Sequence, residues 1–318
     1  ITNLLEKEAK KASIKVVTKA MVTAIKRQNA GLQLAYTTTK GAPTINEEFQ
    51  NIIVTTGGSQ KPEEFEWLKN LGHKIEKPIP SLFTFNIPDN SLRELQGVVE
   101  EGVTVSIEGT KLKAEGELLI THWGMSGPAI LKLSSYGAKV IHQKGYRFLL
   151  LVNWSGKGNH NTVSQYLKSL AKENSSKLIT TARPSFISKR LWYYLLEKRG
   201  FINRAERETL IIERDRLLKK GVNTIRWGEI GSKGINRLTE ILVNDSYFVD
   251  GKSNYREEFV TCGGISLSSI DSYTLESKVT PGLYFAGEVL DIDAITGGFN
   301  LQAAWTTAHF AAKLKKSN

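Results

Sequence analysis

The sequence predicts an α/β chain organised around a mostly parallel sheet, and three observations predict it. Two short apolar runs end in glycine turns: Leu283-Tyr284-Phe285-Ala286 runs into Gly287-Glu288, and Ile52-Ile53-Val54-Thr55 runs into Thr56-Gly57-Gly58. Apolar runs of this length, closed by glycine, read as strands buried on both faces. Gly297-Gly298 then opens an apolar helical stretch that continues towards the end of the chain. Between about residues 86 and 257 the pattern changes, first to alternating short runs and then to helical spacing.

The elements follow in order. Residues 1–12 read as a helix, with Leu4, Leu5, Glu8 and Ala12 among lysines, and residues 14–17 as a strand. Residues 21–25 and 32–36 alternate on either side of Asn29-Ala30-Gly31, which is the pattern of a β-hairpin. Residues 49–55 return to the sheet. Residues 62–71 form a helix: Pro62 sits in the first turn, where its missing N–H costs nothing, and Glu63, Glu64 and Glu66 lie near the positive end. Val98-Val99, residues 103–107 and residues 118–120 read as short antiparallel strands of a barrel-like sheet. Ser126 is the expected N-cap of a helix with Pro128 in its first turn and an end near Leu133. A strand at 146–153 precedes helices at 161–172, 184–199, 204–219 and 234–242, with a strand near 222–227. Residues 257–262 and 265–267 read as strands that lead back to the Leu283 run.

A strand that ends in glycine, then a carboxylate, a glycine pair and a helix, forms a phosphate- and sugar-binding grammar. Gly287 lets backbone approach a ligand closely. Glu288 accepts hydrogen bonds from sugar or ribityl hydroxyls. The helix opening at Gly297, Gly298, Phe299, Asn300 and Leu301 presents unpaired N–H groups and a partial positive charge. Thr56, Gly57 and Gly58 supply the matching turn after the other strand, where such proteins pass a dinucleotide. Asp291 and Asp293 add negative charge beside Glu288, so at least one of them is expected to brace the loop. The three acids lack the glycine and distal glutamate of a calcium loop, and no metal is expected.

These words occur with others in a fixed order. Thr55-Thr56-Gly57-Gly58, Leu71-Gly72-His73, Pro80-Ser81-Leu82, LLITHWGMSGPA at 118–129, Thr261-Cys262-Gly263-Gly264-Ile265 and the stretch 275–305 span nearly the whole chain. In them the sequence resembles the BaiN/RdsA-type bacterial NAD(P)/FAD-dependent oxidoreductases. The resemblance implies a doubly wound, Rossmann-like FAD domain of glutathione-reductase type with an inserted domain of β strands and helices. The expected domain limits are 1–85 and 258–318 for the FAD domain and 86–257 for the insert. It implies FAD as cofactor, NAD(P)H as electron donor and a small organic acceptor, of the kind of an enone C=C bond. It also implies that backbone near Val22 meets the adenine of FAD. The family opens with a G-x-G-x-x-G fingerprint that holds the pyrophosphate. That fingerprint is not among these 318 residues, so the polypeptide as written is expected to be an N-terminally truncated fragment that binds FAD poorly or not at all and is inactive alone.

His122, within the 118–129 stretch, is the candidate proton donor to a carbanion left by hydride addition, with a buried structural histidine as the alternative. His73 reads as a helix C-terminal cap. Cys262 is the single cysteine, which excludes an intrachain disulfide and reads as a buried, inert thiol.

Composition bounds the function class. Hydrophobic content of 40% and charged content of 24% are those of a water-soluble globular chain. No apolar run approaches a membrane span and no signal peptide is visible, so the expectation is a cytoplasmic protein with no membrane partner. The net charge is +11. Residues 183–237 hold 14 Lys and Arg against 6 Asp and Glu, interleaved as in Glu206-Arg207-Glu208 and Glu213-Arg214-Asp215-Arg216. Interleaving of this kind reads first as solvated helix faces with i,i+4 pairs and argues against a nucleic-acid partner. The second function class is a non-enzymatic module whose basic helices grip nucleic acid or an acidic partner.

Overall fold

The structure is a computed structural model that describes residues 2–28, 31–39, 42–59, 61–212, 225–252, 260–295 and 298–313. Its elements run α1 (Thr2–Lys11), β1 (Met21–Gln28), β2 (Gly31–Thr37), β3 (Ile45–Phe49), β4 (Ile52–Val54), α2 (Glu66–Asn70), β5 (Ile75–Ser81), β6 (Phe85–Asn86), α3 (Asn90–Arg93), β7 (Val99–Ile107), β8 (Lys113–Ile120) and β9 (Gly124–Ser126). They continue through α4 (Pro128–Tyr136), α5 (Ala138–Gln143), β10 (Arg147–Asn153), α6 (His160–Glu173), α7 (Lys189–Lys198), α8 (Arg204–Ile212), α9 (Gly231–Val243), β11 (Asp245–Asp250), β12 (Val260–Ile265), β13 (Leu283–Phe285) and α10 (Phe299–Ala311). The chain divides into two compact units. The first comprises residues 1–78, 263–292 and 300–318, and the second comprises 79–262 and 293–299. The expected limits of the insert were 86 and 257.

In the first unit β4 and β13 pair in parallel, Ile52 with Leu283, Ile53 with Tyr284 and Val54 with Phe285. A parallel bridge between Ile265 and Leu290 carries β12 alongside the segment after β13. Val54, Leu283, Tyr284, Phe285, Val289, Leu290 and Ile265 form the core with Phe65 and Leu68 from the helix region 62–70. Each fully buried side chain of this size contributes about 1.5–3 kcal/mol. The hairpin expected at 21–36 is present as β1 and β2, with a bulge between Val22 and Ala24, and β3 extends it to a three-stranded antiparallel sheet. Residues 62–71 open with a 3-10 turn at Pro62–Phe65 before α2.

Two strand expectations are corrected here. Residues 14–17 are not a strand: Ile14, Val16 and Val17 lie exposed in irregular backbone and pair with no strand among the described residues, although Lys15 Nζ reaches Glu47 of β3 at 3.3 Å. Residues 260–262 and Ile265, from the two runs around Gly263-Gly264, belong to one strand, β12, while Leu267 opens a 3-10 turn; residues 257–259 lie outside the described residues. The glycines do not turn the chain. A Cβ at Gly263 would lie 2.5 Å from the Lys77 carbonyl oxygen, and one at Gly264 would lie 2.6 Å from that of Val289. Glycine inside a strand here permits close backbone approach.

In the second unit six strands form one antiparallel sheet in the order β11-β10-β7-β8-β9-β6. Its outer strands also meet: Phe85 bridges Lys252, and Asn86 Nδ2 donates to the Asp250 carbonyl at 2.8 Å. The runs at 98–99 and 103–107 belong to one strand, β7, whose register shifts between Glu100 and Val103 at Gly102, where φ is +63°. The extra residue of a bulge explains the broken alternation. The N-cap of α4 is Gly127, not Ser126. Gly127 has φ +94°, and a Cβ there would sit 2.8 Å from the Glu117 carbonyl, so glycine is required at the cap itself.

The helices pack by their apolar faces around Trp192 and Trp227, stacked at 6.4 Å. The helix expected at 184–199 begins at Lys189, because Ser188 caps it and accepts from the Leu191 N–H. The helix expected at 204–219 is α8, and residues 213–219 lie outside the described residues, as do 222–224 of the strand expected near 222–227. Asp245, at the start of β11, is buried and accepts from Trp154 Nε1 at 3.1 Å and the Tyr247 hydroxyl at 2.5 Å, and it pairs with Lys198 Nζ at 2.6 Å. Among the described residues no helix is long and apolar enough to cross a membrane.

Candidate functional site

The C-terminal ends of β4 and β13 lie side by side in the first unit, and a cleft of about 460 Å³ opens there. Thr55 and Gly57 line it from the first strand end and Ala286, Gly287 and Glu288 from the second, while Ala304, Trp305 and Ala308 of α10 form a further wall. In open α/β sheets ligands bind outside the carboxyl ends of parallel strands, and this volume is in the range of small-molecule sites.

Both glycines are demanded by backbone conformation and not by crowding. Gly57 has φ +77° and Gly287 has φ +78°. A Cβ on Gly57 would meet nothing within 4 Å, and one on Gly287 would meet Ala304 Cβ at an ordinary 3.8 Å. The absent side chains therefore leave the cleft floor as bare backbone. The Gly287 N–H is not free for a ligand: it donates to Thr307 Oγ1 at 2.9 Å. The Thr307 hydroxyl hydrogen bonds back within α10 to Ala303 O at 2.7 Å, so one side chain ties the glycine turn to the helix wall.

His73 anchors the strand behind the cleft. Its ring is buried, edge-on to Phe285 at 5.1 Å. Nδ1 lies 3.1 Å from Leu68 O, which can only accept, so Nδ1 carries the proton. Nε2 then accepts from Ser277 Oγ at 2.8 Å, while that oxygen takes the N–H groups of Val279 and Thr280. Burial holds the His73 pKa below its ordinary value, against the opposing Leu68 hydrogen bond. The neutral tautomer assigned by geometry agrees with that shift. The expected cap is thus a bracket between the last turn of α2 and residues 277–280.

The other sequence candidates are placed as follows. Gly57, Gly287 and Glu288 line the cleft. Thr56 is exposed and Gly58 half-buried on the segment after β4, outside the lining set. Val22 is exposed at the β1 bulge and also lies outside that set. The Asp291 N–H donates to Ile265 O at 2.9 Å, which fixes the loop after Glu288 to β12. Asp293 accepts from Ser81 Oγ at 2.7 Å within the second unit and so braces its loop. Gly297 lies outside the described residues. Gly298 takes φ +84° immediately before α10, whose first turn carries exposed Phe299 and Leu301 and half-buried Asn300. His122 is exposed between β8 and β9, its ring 4.0 Å from that of Trp123. Sequence reasoning missed Trp305 and Thr307. The apolar spacing of α10 marks a helix but does not mark which of its residues face a cleft.

The family model for the HI0933-like protein Rossmann domain matches residues 1–314. The chain is 25% identical over 320 residues to ribosomal RNA dihydrouridine synthase of Haemophilus influenzae, covering 98% of this chain and 71% of that protein. It is 25% identical over 322 residues to the Escherichia coli protein of the same name, with the same coverage. It is 22% identical over 324 residues to 3-dehydro-bile acid delta(4,6)-reductase of Clostridium scindens, covering 98% of this chain and 72% of that protein.

Proposed function

The chain belongs to the HI0933-like protein Rossmann domain family, and from that premise we propose that it is an NAD(P)H-dependent flavoenzyme that saturates a carbon–carbon double bond conjugated to a carbonyl. Family and relatives support a flavin-type oxidoreductase. The relatives named above differ in substrate, a ribosomal RNA nucleoside and a bile acid, yet their names describe one kind of bond. Dihydrouridine is uridine with the ring double bond next to a carbonyl saturated. A delta-4 double bond in a 3-dehydro bile acid is likewise conjugated to a ketone.

The observation that carries the reading is the cleft floored by two positive-φ glycines at adjacent parallel strand ends, with Glu288 beside them. Such a floor fits a dinucleotide laid across a doubly wound FAD domain. FAD, when bound, supplies two-electron reduction, and the protein supplies position and electrostatics. Gly57 and Gly287 admit the cofactor against backbone, Glu288 accepts from its hydroxyls, and the indole of Trp305 walls the cleft. The start of α10 at Gly298, Phe299 and Asn300 favours negative charge on a bound ring. Saturation of a conjugated bond also needs a proton at the carbon beside the carbonyl, and we assign its delivery to His122.

Anaerobic mixing of the FAD-reconstituted protein with NADPH and with NADH tests the reading. Bleaching of the flavin by one nicotinamide, followed by recovery on adding an enone or a uridine-containing RNA, is the expected result. No bleaching by either nicotinamide would end it.

A further inference from the structure

The first unit holds a second cleft, of about 390 Å³, between the helix region 62–70 and the start of β5. It shares no lining residue with the cleft at the ends of β4 and β13. Its floor is apolar: buried Phe65 and Pro78 and half-buried Ile75 line it beside the buried ring of His73. His73 presents its ring there and no unused polar atom, because Nδ1 is taken by Leu68 O at 3.1 Å and Nε2 by Ser277 Oγ at 2.8 Å. The rim is cationic. Lys69 comes from the last turn of α2, Lys74 directly follows His73, and Lys77 comes from β5. Among the described residues Glu66 is the one carboxylate that lines the cleft with them. Lys69 reaches Glu66 at 3.6 Å and Lys74 reaches Glu76 at 2.8 Å, with the two lysine side chains 64% and 67% exposed. Ion pairs this exposed contribute little by themselves, so an anion in the cleft shares these lysines at small cost.

Floor and rim together select a chemistry. Walls that include two aromatic rings favour a ring system. A ring with its own donors and acceptors, such as a nucleobase, finds no side-chain partner on this floor, and each group left unpaired costs affinity. The volume lies at the small end for ligand sites, which suits one or two fused rings and not a dinucleotide. Three lysines against one glutamate supply the counter-charge for an anionic group at the mouth. We propose that this cleft is a binding site for a small aromatic carboxylate, with its rings over Phe65 and His73 and its carboxylate among Lys69, Lys74 and Lys77. The site stands apart from the reductase reading, and binding is measured without flavin or nicotinamide.

The test is calorimetric titration of naphthoate into the whole chain at low salt and near-neutral pH, with saturation expected at one site per chain. Naphthylmethanol has the same rings without the charge. It is expected to bind about tenfold more weakly, because three exposed lysines each contribute a factor of about two to three. K69Q/K74Q/K77Q, at exposed positions, is expected to lose the same tenfold for naphthoate, to bind the alcohol as wild type does and to keep its thermal midpoint. Nitrogen NMR of the five histidine rings locates the ligand: the His73 signal, assigned by its loss in H73Q, is the one expected to move. The proposal is overturned if naphthoate does not bind, if the alcohol binds equally well, or if the triple variant binds naphthoate like wild type. It is also overturned if the His73 signal stays in place at saturation. Displacement of naphthoate by ADP would overturn it too, since the ring would then sit in the first cleft or the second would accept a nucleotide.

Discussion

Thr307→Val removes one buried hydroxyl from α10, behind the wall of the candidate cleft, and changes little else. Valine keeps the volume and the β-branch, and the two residues have similar helix propensity. Ala303 O and Ala304 O are helix carbonyls that retain their backbone partners, so the loss falls on the Gly287 N–H, which donates to Thr307 Oγ1 at 2.9 Å. Thr307 is 9% exposed and the turn is packed against the core through Ala286, which is 2% exposed, so water does not fully replace the acceptor. An orphaned donor of this kind costs about 1–3 kcal/mol. Thr307→Ser is the control: it keeps the acceptor and loses one methyl, about 0.8 kcal/mol. Urea unfolding of the three proteins measures the difference, and FAD or ADP titration measures the effect on the cleft. The expected order is wild type, then Ser, then Val, with Val also weakening the ligand. Equal stability of Val and Ser, within about 0.3 kcal/mol, would refute the argument that this bond ties the glycine turn to the helix.

Four further outcomes follow from the same structure. Because burial lowers the His73 pKa, the unfolded chain takes up this proton first, near its ordinary value of 6.5; the stabilisation is full above that pH and is lost as pH falls below it, so His73→Gln should flatten the dependence of the melting temperature on pH between about 7.5 and 5. Burial raises the pKa of Glu100, whose two oxygens each lie 3.1 Å from the Ser188 N–H, so its ionised form opposes folding as pH rises above 4.5; Glu100→Gln should raise the urea midpoint at pH 7 and have less effect near pH 4. Gly263→Ala places a Cβ 2.5 Å from the Lys77 carbonyl at φ +111° and should cost about 2–4 kcal/mol by chemical denaturation. Asp245→Ala strands Trp154, Tyr247 and Lys198 and should cost about 3 kcal/mol, the low end for a broken buried pair because Lys198 is 30% exposed and can rehydrate.

The parts of the fold that could be read from the sequence were those whose periodicity is undisturbed. The runs at 52–55 and 283–286 announce buried strands because every side chain is apolar, and β4 and β13 do pair in parallel. Long amphipathic helices such as α6 and α9 declared themselves by their spacing. Elements with polar residues at buried positions were hidden: β11 opens on Asp245, whose burial is compensated by partners 91 and 47 residues away, and no local pattern carries that information. Residues 14–17 show the converse, a β-branched run with no partner strand among the described residues. At the candidate cleft Gly57, Gly287 and Glu288 were legible because loop chemistry is local. Thr307 and Trp305 were not, because their role depends on the rotation of α10 about its own axis relative to a strand end.

The parallel pairing of Val54 with Phe285 has a further consequence for biosynthesis. At about 5–20 residues per second the ribosome needs roughly 10–50 s to travel from one strand to the other. During that interval Ile52–Val54 has no β13 to pair with, while nearly all of the second unit emerges and can collapse on its own core. The Trp305 wall emerges later still, so a nascent chain has no cleft to offer a ligand until synthesis has passed α10. Premature termination or slow release in this window leaves an apolar strand edge exposed, which makes this stretch the place where the polypeptide most depends on a chaperone.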